Sequence, residues 1–202
     1  MSNTSWRRSP RYAISLLALL GALIVPASAA ATVETFHRFE VDATANYTIN
    51  EQCPDGTTRQ TRVTAIGGHE EESESGVTTL DSDFLTVLIR GFDCDFNLIN
   101  DRGSGPAEFT FSPSLQTAAV SGTITTRSGS SVTVDVSWEG TGGIETTTNT
   151  TTFPGFVGVF QGKTREAVAT GTVVVDGETL VDGSTTNAEI ETLEDTNTTT
   201  SA

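Results

Sequence analysis

The fold class is decided by the stretch Val132-Thr133-Val134-Asp135-Val136-Ser137-Trp138. Apolar residues take every second position in it, and polar residues take the positions between them. A period of two is typical of a half-buried β-strand, because successive side chains of a strand point to opposite faces. The turn sequence Ser128-Gly129-Ser130 precedes the stretch, and Val120, Gly122 and Ile124 alternate in the same way before that turn. The sequence therefore predicts a β-hairpin here.

The same alternation recurs along the chain between turn sequences. It predicts a hairpin over residues 39–66 with its turn at Pro54-Asp55-Gly56, and a last hairpin that turns at Asp176-Gly177. Phe84 to Arg90 is almost continuously apolar, which is typical of a strand covered on both faces. Residues 93–98 and 108–111 alternate as well. The sequence predicts roughly eight to ten short strands.

The composition of the chain favours the same fold class. Thr and Val, which fit a pleated surface better than a helix, are abundant, and no long segment has helical spacing. We predict an all-β fold with one disulfide. The expected architecture is a single antiparallel β-sandwich, Ig-like or jelly-roll-like, with a closed β-barrel as the alternative. Residues 67–76, which hold four glutamates, are expected to form an exposed loop, and residues 145–152 either a loop or a polar edge strand.

The N-terminus has the features of a secretory signal peptide. Arg7, Arg8 and Arg11 precede an uncharged apolar run, and small residues follow it at 27–30. We predict a signal peptide at residues 1–29, an all-β domain at 30–186 and a disordered polar tail at 187–202. The mature protein is expected to be secreted or extracytoplasmic, with no membrane span after signal cleavage. Asn-x-Thr sequences at Asn46, Asn149 and Asn197 match the N-glycosylation pattern.

The charge balance excludes several classes of protein. The chain has 11 basic and 26 acidic residues, and removal of the signal peptide leaves 8 basic and 26 acidic residues, a net charge of −18. This acidic excess repels phosphate backbones, so we expect no nucleic-acid partner. The two cysteines are too few for a zinc module with several Cys ligands.

Cys53 and Cys94 are an even pair in a chain that is expected to be exported. The sequence predicts that they form one structural disulfide, because disulfides persist in oxidising compartments. A redox role would need an electropositive setting that lowers the thiol pKa. Asp55, Asp93 and Asp95 make the local field negative instead.

Carboxylates are the main candidates for a functional site. Asp81-Ser82-Asp83 and Asp93-Cys94-Asp95 each place two acids on one side of an extended segment. Calcium takes six to eight oxygen ligands, so Asp81, Asp83, Asp93 and Asp95 are the predicted metal ligands, with Ca²⁺ as the one cofactor considered. His37 and His69 are expected to be solvated surface residues.

No catalytic motif stands out in the sequence, so we predict no catalytic residue and no enzyme. The expected function is a secreted, non-catalytic β-domain that acts as an extracellular or cell-envelope binding or structural module for a glycan or protein. One alternative is a lipocalin-like β-barrel carrier of a small ligand. The other is a secreted carbohydrate-active enzyme that uses carboxylates such as Asp93, Asp95 or Glu139.

Overall fold

The computed structural model describes residues 31–201, which form ten β-strands and no helix. All strand pairs are antiparallel, and the Cys53–Cys94 disulfide is present. The predicted all-β, antiparallel fold class with one disulfide is therefore confirmed. The strands are β1 (Thr32–Gln52), β2 (Thr58–Glu74), β3 (Val77–Phe92), β4 (Leu98–Pro106), β5 (Glu108–Phe111), β6 (Thr117–Thr125), β7 (Ser131–Gly140), β8 (Glu145–Phe153), β9 (Phe156–Val175) and β10 (Glu178–Ser201).

The ten strands belong to one sheet, in the order β4-β3-β2-β1-β10-β9-β7-β6-β5, with β8 paired to β9. The sheet folds over, and an isolated bridge between Gly103 and Thr126 brings β4 beside the end of β6. It is not closed into a barrel, so the architecture is sandwich-like and the closed-barrel alternative does not form.

The core lies between the two halves of the folded sheet. Gly67 on β2 lies against the side chain of Val120 on β6, so closely that a Cβ at Gly67 would be 2.5 Å from that of Val120. Trp138 on β7 is 2% exposed, and its indole Nε1 donates a hydrogen bond of 2.9 Å to the Thr44 carbonyl on β1. The alternating residues of β7 that predicted the hairpin are the ones that fill this core: Val132, Val134, Val136 and Trp138.

Several strands run on beyond the core. The part of the sheet beyond it, here called the sheet extension, consists of residues 77–83 of β3, 69–74 of β2, 32–40 of β1, 189–201 of β10, 156–165 of β9 and all of β8. Most of its side chains on both faces reach solvent. All of its strands except β8 continue into the core, so the extension and the core belong to one sheet.

Two sequence predictions about loops are wrong. Residues 187–201 were expected to be a disordered tail, but they continue β10, because they pair with β1 on one side and β9 on the other. Residues 67–74 were expected to be an exposed acidic loop, but they belong to β2 and pair with both β1 and β3. Long strand neighbours on both sides supply backbone hydrogen bonds that outweigh the repulsion among the four glutamates.

Of the other local predictions, the three hairpins are confirmed and one strand is wrong. The hairpins at Pro54-Asp55-Gly56, Ser128-Gly129-Ser130 and Asp176-Gly177 are confirmed. Residues 93–97, expected in a strand, form a turn, and residues 145–153 form an edge strand rather than a loop. The predicted signal peptide at 1–29 lies outside the described residues. Among residues 31–201 there is no helix that is long and apolar enough to span a membrane.

Candidate functional site

The predicted disulfide joins two turns at the same end of the sheet. Cys53 follows β1 and Cys94 follows β3, with their Cα atoms 5.4 Å apart. Each turn is also closed by an aspartate. The carboxylate of Asp55 accepts hydrogen bonds from Thr57, and that of Asp93 accepts hydrogen bonds from Asn97. These hydrogen bonds, which are made to the charged form, lower the pKa of each carboxyl group.

The four predicted calcium ligands do not converge. Asp81 and Asp83 lie near the start of β3, whereas Asp93 and Asp95 lie in the turn beyond its end. Ten residues of extended strand, about 30 Å, separate Asp83 from Asp93. Within residues 31–201 no group of three or more His, Cys, Asp or Glu side chains is placed to hold a metal ion. Calcium binding at the separate pairs stays a prediction.

His69 is paired with one of these acids. Its Nδ1 donates a hydrogen bond of 2.8 Å to Asp83 Oδ1, and its ring stacks on Phe111 with 6.4 Å between centroids. The side chain is 20% exposed, so it is less solvated than the sequence predicted. A histidine oriented by a carboxylate supplies the base and the acid of a catalytic triad, which also needs a nucleophile such as a serine hydroxyl. No side-chain hydroxyl in the described part of the chain hydrogen-bonds to His69.

A different set of residues forms a basic site on the outer face of β1 to β4, the face turned away from the core. Three successive rows of cross-strand neighbours there contain three arginines and no carboxylate. The rows are Thr44-Ile66-Thr86-Ser104, Asn46-Thr64-Leu88-Arg102 and Thr48-Arg62-Arg90-Asn100. Residues 31–201 hold 8 basic and 26 acidic residues, so this grouping of arginines is a strong local reversal of charge.

Arg62 and Arg90 lie directly opposite each other on neighbouring strands. Both side chains are exposed, and neither makes an ion pair or side-chain hydrogen bond within residues 31–201. Like charges placed directly opposite in an antiparallel sheet are destabilising. An anion that lies between the two guanidinium groups would remove this repulsion.

Arg59, three residues before Arg62 on β2, adds positive charge near this pair. Its guanidinium carbon lies 3.7 Å from the centroid of the Phe96 ring, which covers it. The side chain is 14% exposed, and its Nε and Nη2 atoms are buried without a hydrogen-bond partner, with Asp55 Oδ2 4.0 Å from Nη2. Because Phe96 closes off these donors, Arg59 contributes charge to the site rather than hydrogen bonds to a bound anion.

The disulfide positions the aromatic cover of Arg59. Phe96 lies two residues after Cys94 and has a φ of 63°, in the left-handed region that a bulky residue seldom adopts. The turn holds it there, since the Phe96 amide donates to the Asp93 carbonyl and the Asp95 amide donates to the Asp93 carboxylate. The cross-link between the two turns therefore keeps Phe96 against Arg59, at the start of the strand that follows the other turn.

Arg59, Arg62 and Arg90 line a shallow groove of about 720 Å³. Amide side chains of Asn46 and Gln60 supply neutral donors and acceptors, and exposed Phe92 and Leu98 supply apolar contact. We call it the arginine groove, and its main residues are Asn46, Arg59, Gln60, Arg62, Leu88, Arg90, Phe92 and Leu98. The guanidinium groups can make charge-assisted, forked hydrogen bonds to carboxylate, sulfate or phosphate oxygens.

The opposite end of the same outer face is acidic. Arg38 lies among three glutamates there, with its Nη2 2.6 Å from Glu70 Oε1 and 3.1 Å from Glu40 Oε2, and its Nε 3.8 Å from Glu72 Oε1. We call these glutamates, together with Asp42 and Glu191, the acidic belt. Glu70 lies eight residues along β2 from Arg62, a distance of about 26 Å.

Asp42 is the most perturbed carboxyl group of the acidic belt. Burial, together with the negative charges of Glu40, Glu191 and Glu70, raises its pKa to about 6, against the effect of Arg38. Its Oδ1 atom is buried without a hydrogen-bond partner and lies over Gly68, beside the Phe84 ring. Burial also raises the pKa of Glu191.

The arginine groove was missed at the level of sequence. Arg59, Arg62 and Arg90 stand on predicted strands, but their neighbours across the sheet depend on strand order and register. The one feature of the sequence that could have indicated it was the position of the arginines. Arg59 and Arg62 lie in the first half of one predicted strand, and Arg90 ends another. No family model, curated protein or solved structure matches the chain.

Proposed function

We propose that this protein is a non-catalytic, extracytoplasmic binding module that holds an acidic polysaccharide in the arginine groove. The observation that carries the proposal is the unpartnered pair of Arg62 and Arg90, opposite each other on the open face of the sheet. Carboxylate or sulfate groups of the polymer neutralise this pair.

The rest of the arginine groove favours a sugar polymer as the source of the anion. The Asn46 and Gln60 amides can bond to hydroxyl groups as donors or acceptors, and the exposed face of Phe92 offers an apolar surface to a sugar ring. The groove is shallow and open, which suits a chain that passes across it. Glu70 of the acidic belt lies about 26 Å along β2 from Arg62, well beyond the Debye length of about 8 Å at physiological salt, so it weakens binding at Arg62 little.

The proposed location rests on the disulfide and the sequence. Cys53–Cys94 is of the kind that persists in oxidising compartments outside the cytoplasm. The predicted signal peptide leads to the same location. Acidic polysaccharides are exposed in such compartments, where a soluble or envelope-held β-domain can reach them.

The test uses the mature chain with Arg62→Gln and Arg90→Gln together. The control variant, Arg127→Gln with Lys163→Gln, removes the same formal charge from exposed positions outside the arginine groove. Binding to polygalacturonate and dextran sulfate is measured by calorimetry in physiological salt, with uncharged dextran as the reference polymer. Each charge-assisted hydrogen bond contributes about 1.5–3 kcal/mol, so the double variant is expected to bind at least about tenfold more weakly.

The control variant is expected to bind as the native chain does, and dextran is expected not to bind. Equal affinity of the native chain and the Arg62/Arg90 variant would overturn the proposed site, as would failure of the native chain to bind either charged polymer. Release of new reducing ends from the polymer would overturn the non-catalytic assignment.

A further inference from the structure

β8 is an unprotected edge of the sheet. Among the described residues it pairs with β9 alone, and all nine of its residues are exposed. About half of its backbone N–H and C=O groups point away from β9, as in any edge strand. Such a row of unpaired groups is a ready template for another strand.

The other free edge of the sheet extension differs. Residues 77–83 of β3 pair with β2 and have no second strand neighbour among residues 31–201. That edge carries Asp81 and Asp83, and charges on an edge strand oppose pairing with a further chain. Residues 146–152 of β8 carry no charge, no Pro and no Gly, so β8 lacks these protective features.

The seven central residues of β8 have a sequence that is symmetric about Asn149. Residues 146–152 read Thr-Thr-Thr-Asn-Thr-Thr-Thr, with Asn149 in the middle. In an antiparallel pair of two such strands centred on Asn149, Thr148 faces Thr150 of the second copy, and each remaining Thr also faces a Thr. Cross-strand Thr pairs and facing amide groups stabilise a sheet through side-chain hydrogen bonds.

We propose that two copies of this chain pair through β8 in an antiparallel, two-fold arrangement centred on Asn149. The contact is isologous, so it closes at a dimer and leaves no free β8 edge. Shifting the register by two residues places Asn149 opposite a Thr, so the two Asn149 amide groups no longer face each other. The proposal is independent of the arginine groove, which lies on β1 to β4.

The test exploits the predicted register. Thr148→Asp with Thr150→Asp places like charges opposite each other across the two-fold axis, so the dimer is expected to dissociate at least about tenfold more readily. Thr148→Lys with Thr150→Lys has the same effect. Thr148→Asp with Thr150→Lys places opposite charges in register, so dimerisation is expected to recover.

The oligomeric state is measured by analytical ultracentrifugation over a dilution series, on mature chain from a host that does not glycosylate Asn149. An equimolar mixture of the all-Asp and all-Lys variants is expected to form a heterodimer. Thr78→Asp with Thr79→Asp, on the free edge of β3, adds the same charge as the all-Asp variant and is expected to leave the dimer intact. Circular dichroism confirms that every variant retains its strands.

A native chain that sediments as a monomer up to about 1 mM would overturn the proposal. So would a dimer that survives both like-charge variants, because that dimer would use another surface. Polysaccharide binding, measured on the same native sample, reports separately on the arginine groove.

Discussion

The two ends of the outer face of β1 to β4 are built on the same strands yet have opposite chemistry. At one end Arg62 and Arg90 face each other with no acid in their row, and Asp55 lies 4.0 Å from Arg59 nearby. At the other end the acidic belt surrounds a single arginine, Arg38. The carboxyl groups differ in the same way. Hydrogen bonds in the turns lower the pKa of Asp55 and Asp93, whereas burial raises that of Asp42.

This difference shows that backbone pairing and surface chemistry are specified separately. The inward residues of β1 and β2 behind the arginine groove and beside Asp42, such as Ala43, Val63 and Ala65, are apolar and lie in the core, whereas most of the acidic belt lies on the sheet extension. The outward residues are free to vary in charge along each strand, because exposed like charges cost little individually.

The largest expected effect comes from Trp138, which contacts β1 at Thr44, between the two ends, from the core side. Trp138→Ala removes a 2% exposed indole and its hydrogen bond to the Thr44 carbonyl. We expect the free energy of unfolding to fall by about 3–5 kcal/mol, measured by urea denaturation. Trp138→Phe keeps much of the packing and is expected to cost less. Equal stability of the Ala variant and the native chain would show that this contact does not join the two halves of the folded sheet.

Removal of the disulfide is expected to affect the arginine groove and to leave the acidic belt unchanged. Cys53→Ala with Cys94→Ala frees a loop with a sequence separation of 41 residues, which we expect to cost about 2–4 kcal/mol in denaturation experiments. It also releases Phe96 from Arg59, so affinity for polygalacturonate is expected to fall while the pKa of Asp42, followed by NMR, stays unchanged. A shift in that pKa would mean that the two ends are coupled.

The smallest effect concerns the acidic belt. The pKa of Asp42 is about 6 in the folded protein and 3.8 as the ordinary value, so the folded state binds more protons between these values. Stability contributed by Asp42 is therefore present below about pH 4 and is lost as the pH rises through about 6. Allowing for solvent screening of this half-buried group, Asp42→Asn is expected to raise the free energy of unfolding at pH 7 by about 1 kcal/mol.

The measurement is urea denaturation between pH 4 and 8. Asp135→Asn, which removes the same formal charge from an exposed position on β7, is the matched control. An Asp42→Asn variant with the native slope would contradict the assignment of this proton to Asp42.

The strands of the core could be predicted from sequence because burial on one face imposes a period of two. Val132 to Trp138 is the clearest case, and its inward residues are those that the alternation marks. The predictions for residues 67–74 and 187–201 failed because these strands have little core to cover. Their order comes from hydrogen bonds to strands that are distant in sequence, and polar composition does not reveal such partners.

The candidate site was harder to predict than the fold. The disulfide followed from an even pair of cysteines, but Arg62 and Arg90 stand 28 positions apart and meet through strand register. The predicted calcium ligands were grouped by nearness in sequence. In the structure, the length of β3 separates Asp83 from Asp93. The spacing of residues in the sequence shows which face of a strand they occupy. A site formed by several strands can be predicted only when the strand order and register are known.

The length of β1 and β10 has a mechanical consequence. Their fourteen registered residue pairs run from the sheet extension into the core without a break. A pull along the strand axis, from the extension towards the turns, loads the hydrogen bonds of these pairs in shear, so many must rupture together. A polymer held at one end and a tether at the other would thus strain the sheet along its most resistant direction.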